Sequence, residues 1–139
     1  MIIDRIRKLS LKKAGLCSAT IGVINILVHV LVIANIIPYL WVNGGRTISF
    51  TEAHQISISS IIMTAINIII ALVASQIIPI KFNKFWGIAI SAFLIITLPL
   101  SFIGIVQQFM GTTFEKCVMS VVTIIGFCAD IRIAFEKRW

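Results

Sequence analysis

Three polar residues that could bind a solute or move a proton lie within long apolar runs of the sequence. They are Asn25, His29 and Asn67. A neutral imidazole and two carboxamides supply both hydrogen-bond donors and acceptors, which interact strongly where the dielectric constant is low. One interpretation is a solute site or a proton-coupled relay centred on His29. The other, which we favour, is a hydrogen-bonded contact between packed helices.

The spacing of small and polar residues assigns these side chains to helical faces. Residues three and four positions apart share one face of a helix. The three sets with this spacing are Ser18, Gly22, Asn25 and His29; then Ser60, Thr64, Asn67, Ala71 and Ala74; then Thr97, Ser101, Gly104 and Gln108. An amide left unpaired in lipid is costly. We therefore expect Asn25 and Asn67 to face the interior of a helical bundle, with His29 on the face of Asn25.

A charged trio in the turn after the first apolar run is the second candidate site. It comprises Arg46, Glu52 and His54. Enzymes use such groups, but Glu52 also completes an S-x-x-E capping box with Ser49, near the positive end of the helix that follows. Arg46 has an obvious partner in Glu52 or in a lipid phosphate. We favour a structural role for this outer-face cluster.

The rest of the sequence offers no pattern that indicates catalysis, a metal or a cofactor. It lacks the Ser/His/Asp order, HExxH, the P-loop and GxGxxG. The cysteines Cys17, Cys117 and Cys128 have neither CxxC nor Cys/His spacing, and we interpret them as small buried packing residues. We predict no catalytic residue, no cofactor and no metal site.

One acid, Asp130, lies within the fourth apolar run, about a turn from its end. Acids inside a membrane usually find a partner. We expect Asp130 to anchor the helix at the interface by pairing with Lys13, Lys81 or Lys84.

Composition decides the class of protein. Of the 139 residues, 59% are hydrophobic and 12% are charged. A soluble domain has about 45–50% apolar and about 25% charged residues. The sequence therefore predicts an integral membrane protein whose first partner is the lipid bilayer. The net charge of +7 comes from residues at the ends of apolar runs, so nucleic-acid binding is not predicted.

The predicted fold class is an all-α membrane protein, an antiparallel four-helix transmembrane bundle in a single domain over residues 1–139. The spans are expected at about residues 14–42, 50–78, 84–109 and 114–135, because a spanning helix needs about 20 apolar residues. Ser49, Asn83 and Thr112 are the predicted N-caps. Residues 1–13 form a short, basic, amphipathic segment that we expect to lie on an anionic membrane surface.

Basic residues are distributed unevenly between the two ends of the predicted bundle. Ten lie before the first span, in the middle link or after the last span, and two, Arg46 and Lys116, lie in the other turns. Lys and Arg favour the cytoplasmic side. We expect both termini in the cytoplasm and the chain in a bacterial inner membrane.

Two functions remain open at this stage. We favour a non-catalytic binding role, as an accessory subunit, an immunity or stress protein, or a homo-oligomer. The alternative is a small oligomeric transporter or channel with a polar path along Asn25, His29 and Asn67. A cavity that reaches His29 would favour the alternative.

Overall fold

The computed structural model describes residues 2–138, and this part of the chain contains helices and no β-strand. The helices are α1 (Ile2–Arg7), α2 (Leu11–Ile33), α3 (Phe50–Ala74), α4 (Lys84–Phe109) and α5 (Ser120–Ala134), the last preceded by a π-helical turn over Glu115–Met119. Two short 3₁₀ turns lie at Tyr39–Trp41 and Asn43–Gly45. Four helices, counting Glu115–Ala134 as one, are long and apolar enough to cross a membrane. The predicted all-α four-helix transmembrane fold is confirmed.

Local capping chemistry sets where three of the long helices begin. The side chains of Ser49, Asn83 and Thr112 each accept a hydrogen bond from the backbone N–H three residues further on, at 3.2, 2.9 and 3.3 Å. Such bonds satisfy backbone donors that the first helical turn leaves free. These three predicted caps are confirmed. Ser10 caps α2 in the same way, at 3.4 Å.

α2 and α3 end earlier than the predicted spans 14–42 and 50–78. Just past each helix, Asn35 and Gln76 adopt left-handed backbone conformations, with φ of 57° and 59°. The next backbone N–H then bonds back to a carbonyl five residues earlier, which closes the helix in a Schellman motif. Both helices therefore stop before the next proline in the chain, Pro38 after α2 and Pro79 after α3.

The four long helices pack unevenly. α2 packs extensively against α3 and α5, α4 packs mainly against α5, and α3 and α4 make few contacts with each other. Small residues allow the close approaches: a side chain added at Gly15 would meet Ser75 on α3. Many large apolar side chains are exposed along all four helices, as expected of surfaces that face lipid. Cys117 and Cys128 are exposed as well, so the prediction that they are buried packing residues is wrong.

One end of the bundle, which we call the basic end, comprises residues 2–10, 76–83 and 135–138. Arg132 on α5 organises it: Nε donates to the Leu9 carbonyl at 2.7 Å, Nη2 donates to the Arg7 carbonyl at 3.0 Å, and Nη1 pairs with Glu136 at 2.6 Å. Arg7 in turn donates to the Phe135 carbonyl at 2.8 Å. The amphipathic N-terminal segment is therefore bound to the end of α5.

Arg138 joins three helices at the same end. Its Nη1 donates to Ser91 Oγ on α4 at 2.8 Å, and its Nη2 donates to the carbonyls of Ala74 on α3 and Ile133 on α5. Burial lowers the pKa of this guanidinium from its ordinary value, whereas the charge of Glu136 acts in the opposite direction. The contacts link α3 and α4 next to the basic end.

Candidate intramembrane cleft

A cavity of about 290 Å³, which we call the cleft, lies between the four spanning helices at mid-depth. α2 and α3 contribute the polar residues Ser18, Asn25, Thr64 and Asn67. α4 and α5 contribute Ser101, Gln108, Thr123 and Asp130. The remaining lining is apolar or glycine. The cleft is therefore a mixed polar and apolar chamber inside a membrane protein.

The cleft is open on the side between α3 and α4. These helices make few contacts, and a Cβ added at Gly104 on α4 would meet no atom within 4 Å. Asn67 on α3 lines the cleft and is exposed. The opening faces the region that lipid would occupy.

An apolar cluster closes the cleft toward the basic end. Its buried members are Ala71, Ala74, Leu94, Ile133 and Ala134. They come from α3, α4 and α5, one to two turns beyond the polar lining on each helix. The cluster is the place where α3 and α4 do meet, and it separates the polar lining from the basic end.

Asn25 and Asn67 both line the cleft, as the helical spacing predicted. Asn25 Nδ2 donates to Thr64 Oγ1 at 3.0 Å, which links α2 to α3 at the wall of the cleft. Within residues 2–138, Asn67 makes no side-chain hydrogen bond. The bond between Asn25 and Thr64 is a hydrogen-bonded contact between packed helices, of the kind favoured from the sequence, and a cavity lies beside it where the other polar faces converge.

His29 shares the face of Asn25 but takes no part in the cleft. Its side chain is buried, 8% exposed, and Nδ1 lies 3.1 Å from Ser57 Oγ on α3. His29 is absent from the cavity lining. The imidazole therefore serves the α2–α3 contact, and the three residues of the predicted polar site do not share one chamber.

Asp130 lines the cleft, although the sequence-based prediction placed it at the membrane interface. Its Oδ1 accepts a hydrogen bond of 2.6 Å from Ser18 Oγ, and its side chain lines the cleft. Within residues 2–138 it forms no salt bridge with Lys13, Lys81 or Lys84, so the predicted pairing is wrong. The signal was present in the sequence: Met119, Thr123, Gly126 and Asp130 share one helical face.

The outer-face cluster of Arg46, Glu52 and His54 does not assemble into a site. Glu52 accepts the Ile48 N–H at 2.8 Å, as a capping residue does. The His54 ring packs on Phe50, with ring centroids 6.1 Å apart. Arg46 is exposed, and no ion pair joins it to Glu52 in the part of the chain described.

Glu115, rather than that cluster, organises the end of the bundle opposite the basic end. It is 6% exposed and accepts hydrogen bonds from the Gly44 N–H, at 2.9 Å to each carboxylate oxygen, and from the Thr112 N–H at 3.0 Å. In the sequence, Glu115 stands out only as the last residue of a T-x-x-E capping box that begins at Thr112. The carboxylate ties the turn after α2 to the turn after α4.

Comparison with known proteins adds no assignment: no protein family, curated protein or solved structure matches this chain. Within residues 2–138 no group of three or more His, Cys, Asp or Glu side chains is placed to hold a metal ion.

Proposed function

We propose that this chain is a non-catalytic membrane protein that binds a polar ligand in the cleft. The observation that carries the proposal is a chamber of about 290 Å³ at mid-depth, with polar side chains from all four helices and an apolar floor. Polar groups inside a membrane are costly unless they serve a partner. A ligand that hydrogen-bonds to Asn67 and Gln108 would offset that cost.

Binding is favoured over catalysis because the two groups best suited to proton transfer are apart. His29 is engaged with Ser57 between α2 and α3, outside the lining, and Asp130 accepts from Ser18 inside it. General acid–base chemistry needs both partners within hydrogen-bond reach of one reacting group. The cleft supplies one acid and no base beside it.

A second candidate, a small oligomeric transporter, is favoured by one observation. Polar lining continues along the cleft from Asp130 to Gln108. A second copy covering the opening between α3 and α4 would enclose that lining. Against this, His29 lies off the lining and the apolar cluster closes the basic end, so the path expected along Asn25, His29 and Asn67 is interrupted.

Orientation and location are part of the proposal. We place the basic end in the cytoplasm of a bacterial inner membrane, because ten of the twelve Lys and Arg residues lie within the basic end or in the helical turns next to it. A reporter active only in the cytoplasm should work when fused after Trp139 and fail when fused after Gly44. The reverse pattern would invert the orientation.

Cysteine accessibility tests whether polar molecules reach the cleft. The background replaces Cys17, Cys117 and Cys128 by Ala. Ser101→Cys then places a thiol on the lining, and the matched control Ile103→Cys places one at nearly the same depth on a side chain that is 51% exposed outside the cleft.

Both variants, in lipid nanodiscs, are treated with two water-soluble methanethiosulfonates, one carrying a trimethylammonium group and one carrying a sulfonate. We expect at least one reagent to modify Ser101→Cys, while Ile103→Cys stays unmodified because its thiol lies in hydrocarbon. If neither reagent modifies Ser101→Cys, polar molecules do not reach the cleft and the proposal fails.

A further inference from the structure

Asp130 is the one charged side chain among the described residues that line the cleft. Ser18 donates a hydrogen bond of 2.6 Å to Oδ1, a length typical of an O–H bound to a carboxylate. A carboxylate has acceptor positions for about four donors. The charge and most of its hydrogen-bonding capacity are therefore left for a molecule in the chamber.

Other lining groups also present acceptors. The Asn25 amide N–H donates to Thr64, which leaves the Asn25 carbonyl oxygen available as an acceptor. Gln108 Oε1, toward the other end of the lining, is buried and has no hydrogen-bond partner. Buried acceptors without donors are uncommon and call for an explanation. A ligand that carries hydrogen-bond donors and a positive charge would satisfy Asp130, Asn25 and Gln108. An anion would be repelled by Asp130.

The size and walls of the chamber favour an organic cation over a bare metal ion. A volume of about 290 Å³ equals the space of about ten waters, at roughly 30 Å³ each. A metal ion needs oxygen ligands on several sides at about 2.0–2.6 Å. The lining is too extended to surround a metal ion in this way, because two of its residues, Met119 and Asp130, lie roughly 16 Å apart along the helix at about 1.5 Å per residue. Phe127 adds an aromatic wall, which attracts alkylammonium groups.

We propose that the ligand of the cleft is a small organic cation with an ammonium group, bound at Asp130 and admitted through the opening between α3 and α4. This inference rests on the proposed binding function and specifies its ligand class. An ammonium group is found both in soluble amines and in the headgroup of phosphatidylethanolamine. The lateral opening beside Gly104 would give access from the bilayer.

The charge preference of the cleft tests the inference. In the cysteine-free background, the rate of modification of Ser101→Cys is measured with the trimethylammonium reagent and with the sulfonate reagent, in nanodiscs of phosphatidylglycerol. The ratio of the two rates is divided by the same ratio at Thr51→Cys, an exposed position outside the cleft. This normalisation removes the effects of lipid charge and of the net charge of +7.

We expect a normalised preference for the cationic reagent of about tenfold or more, the range by which one sign of charge concentrates ligands in a cleft. Asp130→Asn, which can still accept from Ser18, should bring the ratio close to one. Asp130→Glu keeps the charge and should keep the preference. Excess tetramethylammonium chloride should slow the cationic reagent at Ser101→Cys more than sodium chloride at the same ionic strength does.

Equal normalised rates for the two reagents would overturn the cation inference and leave the proposed binding function standing. A preference that persists in Asp130→Asn would overturn the role of Asp130. Failure of both reagents would remove the binding function itself. Replacing half of the phosphatidylglycerol by phosphatidylethanolamine identifies the source: a slower normalised cationic rate assigns the ammonium group to the lipid, and an unchanged rate assigns it to a soluble amine.

Discussion

Replacing Gly15 by Ala should destabilise the bundle, whereas the same change at Gly104 should not. A Cβ at Gly15 would overlap the Cβ and Oγ atoms of Ser75 and would lie 3.1 Å from Cδ1 of Ile77. Ser75 is fully buried, and its hydroxyl donates to the Leu72 carbonyl at 3.3 Å. It cannot withdraw without moving the end of α3. At Gly104 the added methyl group meets open space.

Two terms of opposite sign set the magnitude. Ala favours a helix over Gly by about 1 kcal/mol in both variants. Overpacking costs about 1–3 kcal/mol, and Gly15→Ala belongs at the upper end because the clash involves a Cβ and not a flexible tip. We expect Gly15→Ala to lose about 2 kcal/mol of unfolding free energy and Gly104→Ala to gain up to about 1 kcal/mol. Their difference, about 3 kcal/mol, reports the steric term alone because the propensity terms cancel.

The assay is reversible unfolding in mixed micelles with increasing dodecyl sulfate, followed by tryptophan fluorescence. A double-mutant cycle adds Ser75→Gly, alone and with Gly15→Ala, since coupled neighbours depart from additivity. Removing the Ser75 side chain should abolish most of the penalty at Gly15. Equal midpoints for Gly15→Ala and Gly104→Ala would refute the close α2–α3 approach, as would a cycle with no coupling.

Two further predictions concern hydrogen bonds at other levels of the bundle. Glu115→Ala leaves the backbone N–H groups of Gly44 and Thr112 without their acceptor and should lower the unfolding free energy by about 3 kcal/mol or more. Glu115→Gln should lower it by less, because one acceptor oxygen remains. Equal losses for the two variants in the same unfolding assay would count against the role of the carboxylate. Thr64→Val removes the 3.0 Å hydrogen bond from Asn25 and should lower the unfolding free energy by about 0.6–2 kcal/mol. Asn67→Leu breaks no side-chain hydrogen bond within residues 2–138 and should be neutral or stabilising. A larger loss for Asn67→Leu than for Thr64→Val would instead place the interhelical hydrogen bond at Asn67.

Spans and helix starts followed from the sequence because their causes are local. Lipid requires about 20 apolar residues with internally satisfied backbone groups, and four such runs are visible in order. Ser49, Asn83 and Thr112 act on donors three residues away, so their capping roles are independent of the rest of the fold. Helix ends were less predictable, since Asn35 and Gln76 adopt left-handed conformations that their residue types permit but do not require.

For the candidate site, too, the sequence predicted the local features but not the contacts between helices. Helical periodicity assigned Asn25 and Asn67 to inward faces, because spacing fixes the face of a residue on its own helix. Periodicity says nothing about which neighbour meets that face or whether any neighbour does. Only the tertiary structure shows that these faces converge on a cavity, because α3 and α4 make few contacts. It also shows that His29 contacts Ser57 instead of lining that cavity.

The long-range contacts of Asp130 and Glu115 were not predicted because they join parts of the chain that are distant in the sequence. Glu115 accepts from Thr112, three residues away, but it also accepts from Gly44, 71 positions away, and Asp130 accepts from Ser18, 112 positions away. The sequence by itself determined a four-span bundle, its caps and the faces of its polar residues, because these depend on chemistry within a few turns. The tertiary structure alone decided the cleft, its opening and its single charge, because these depend on how helices distant in the chain come together.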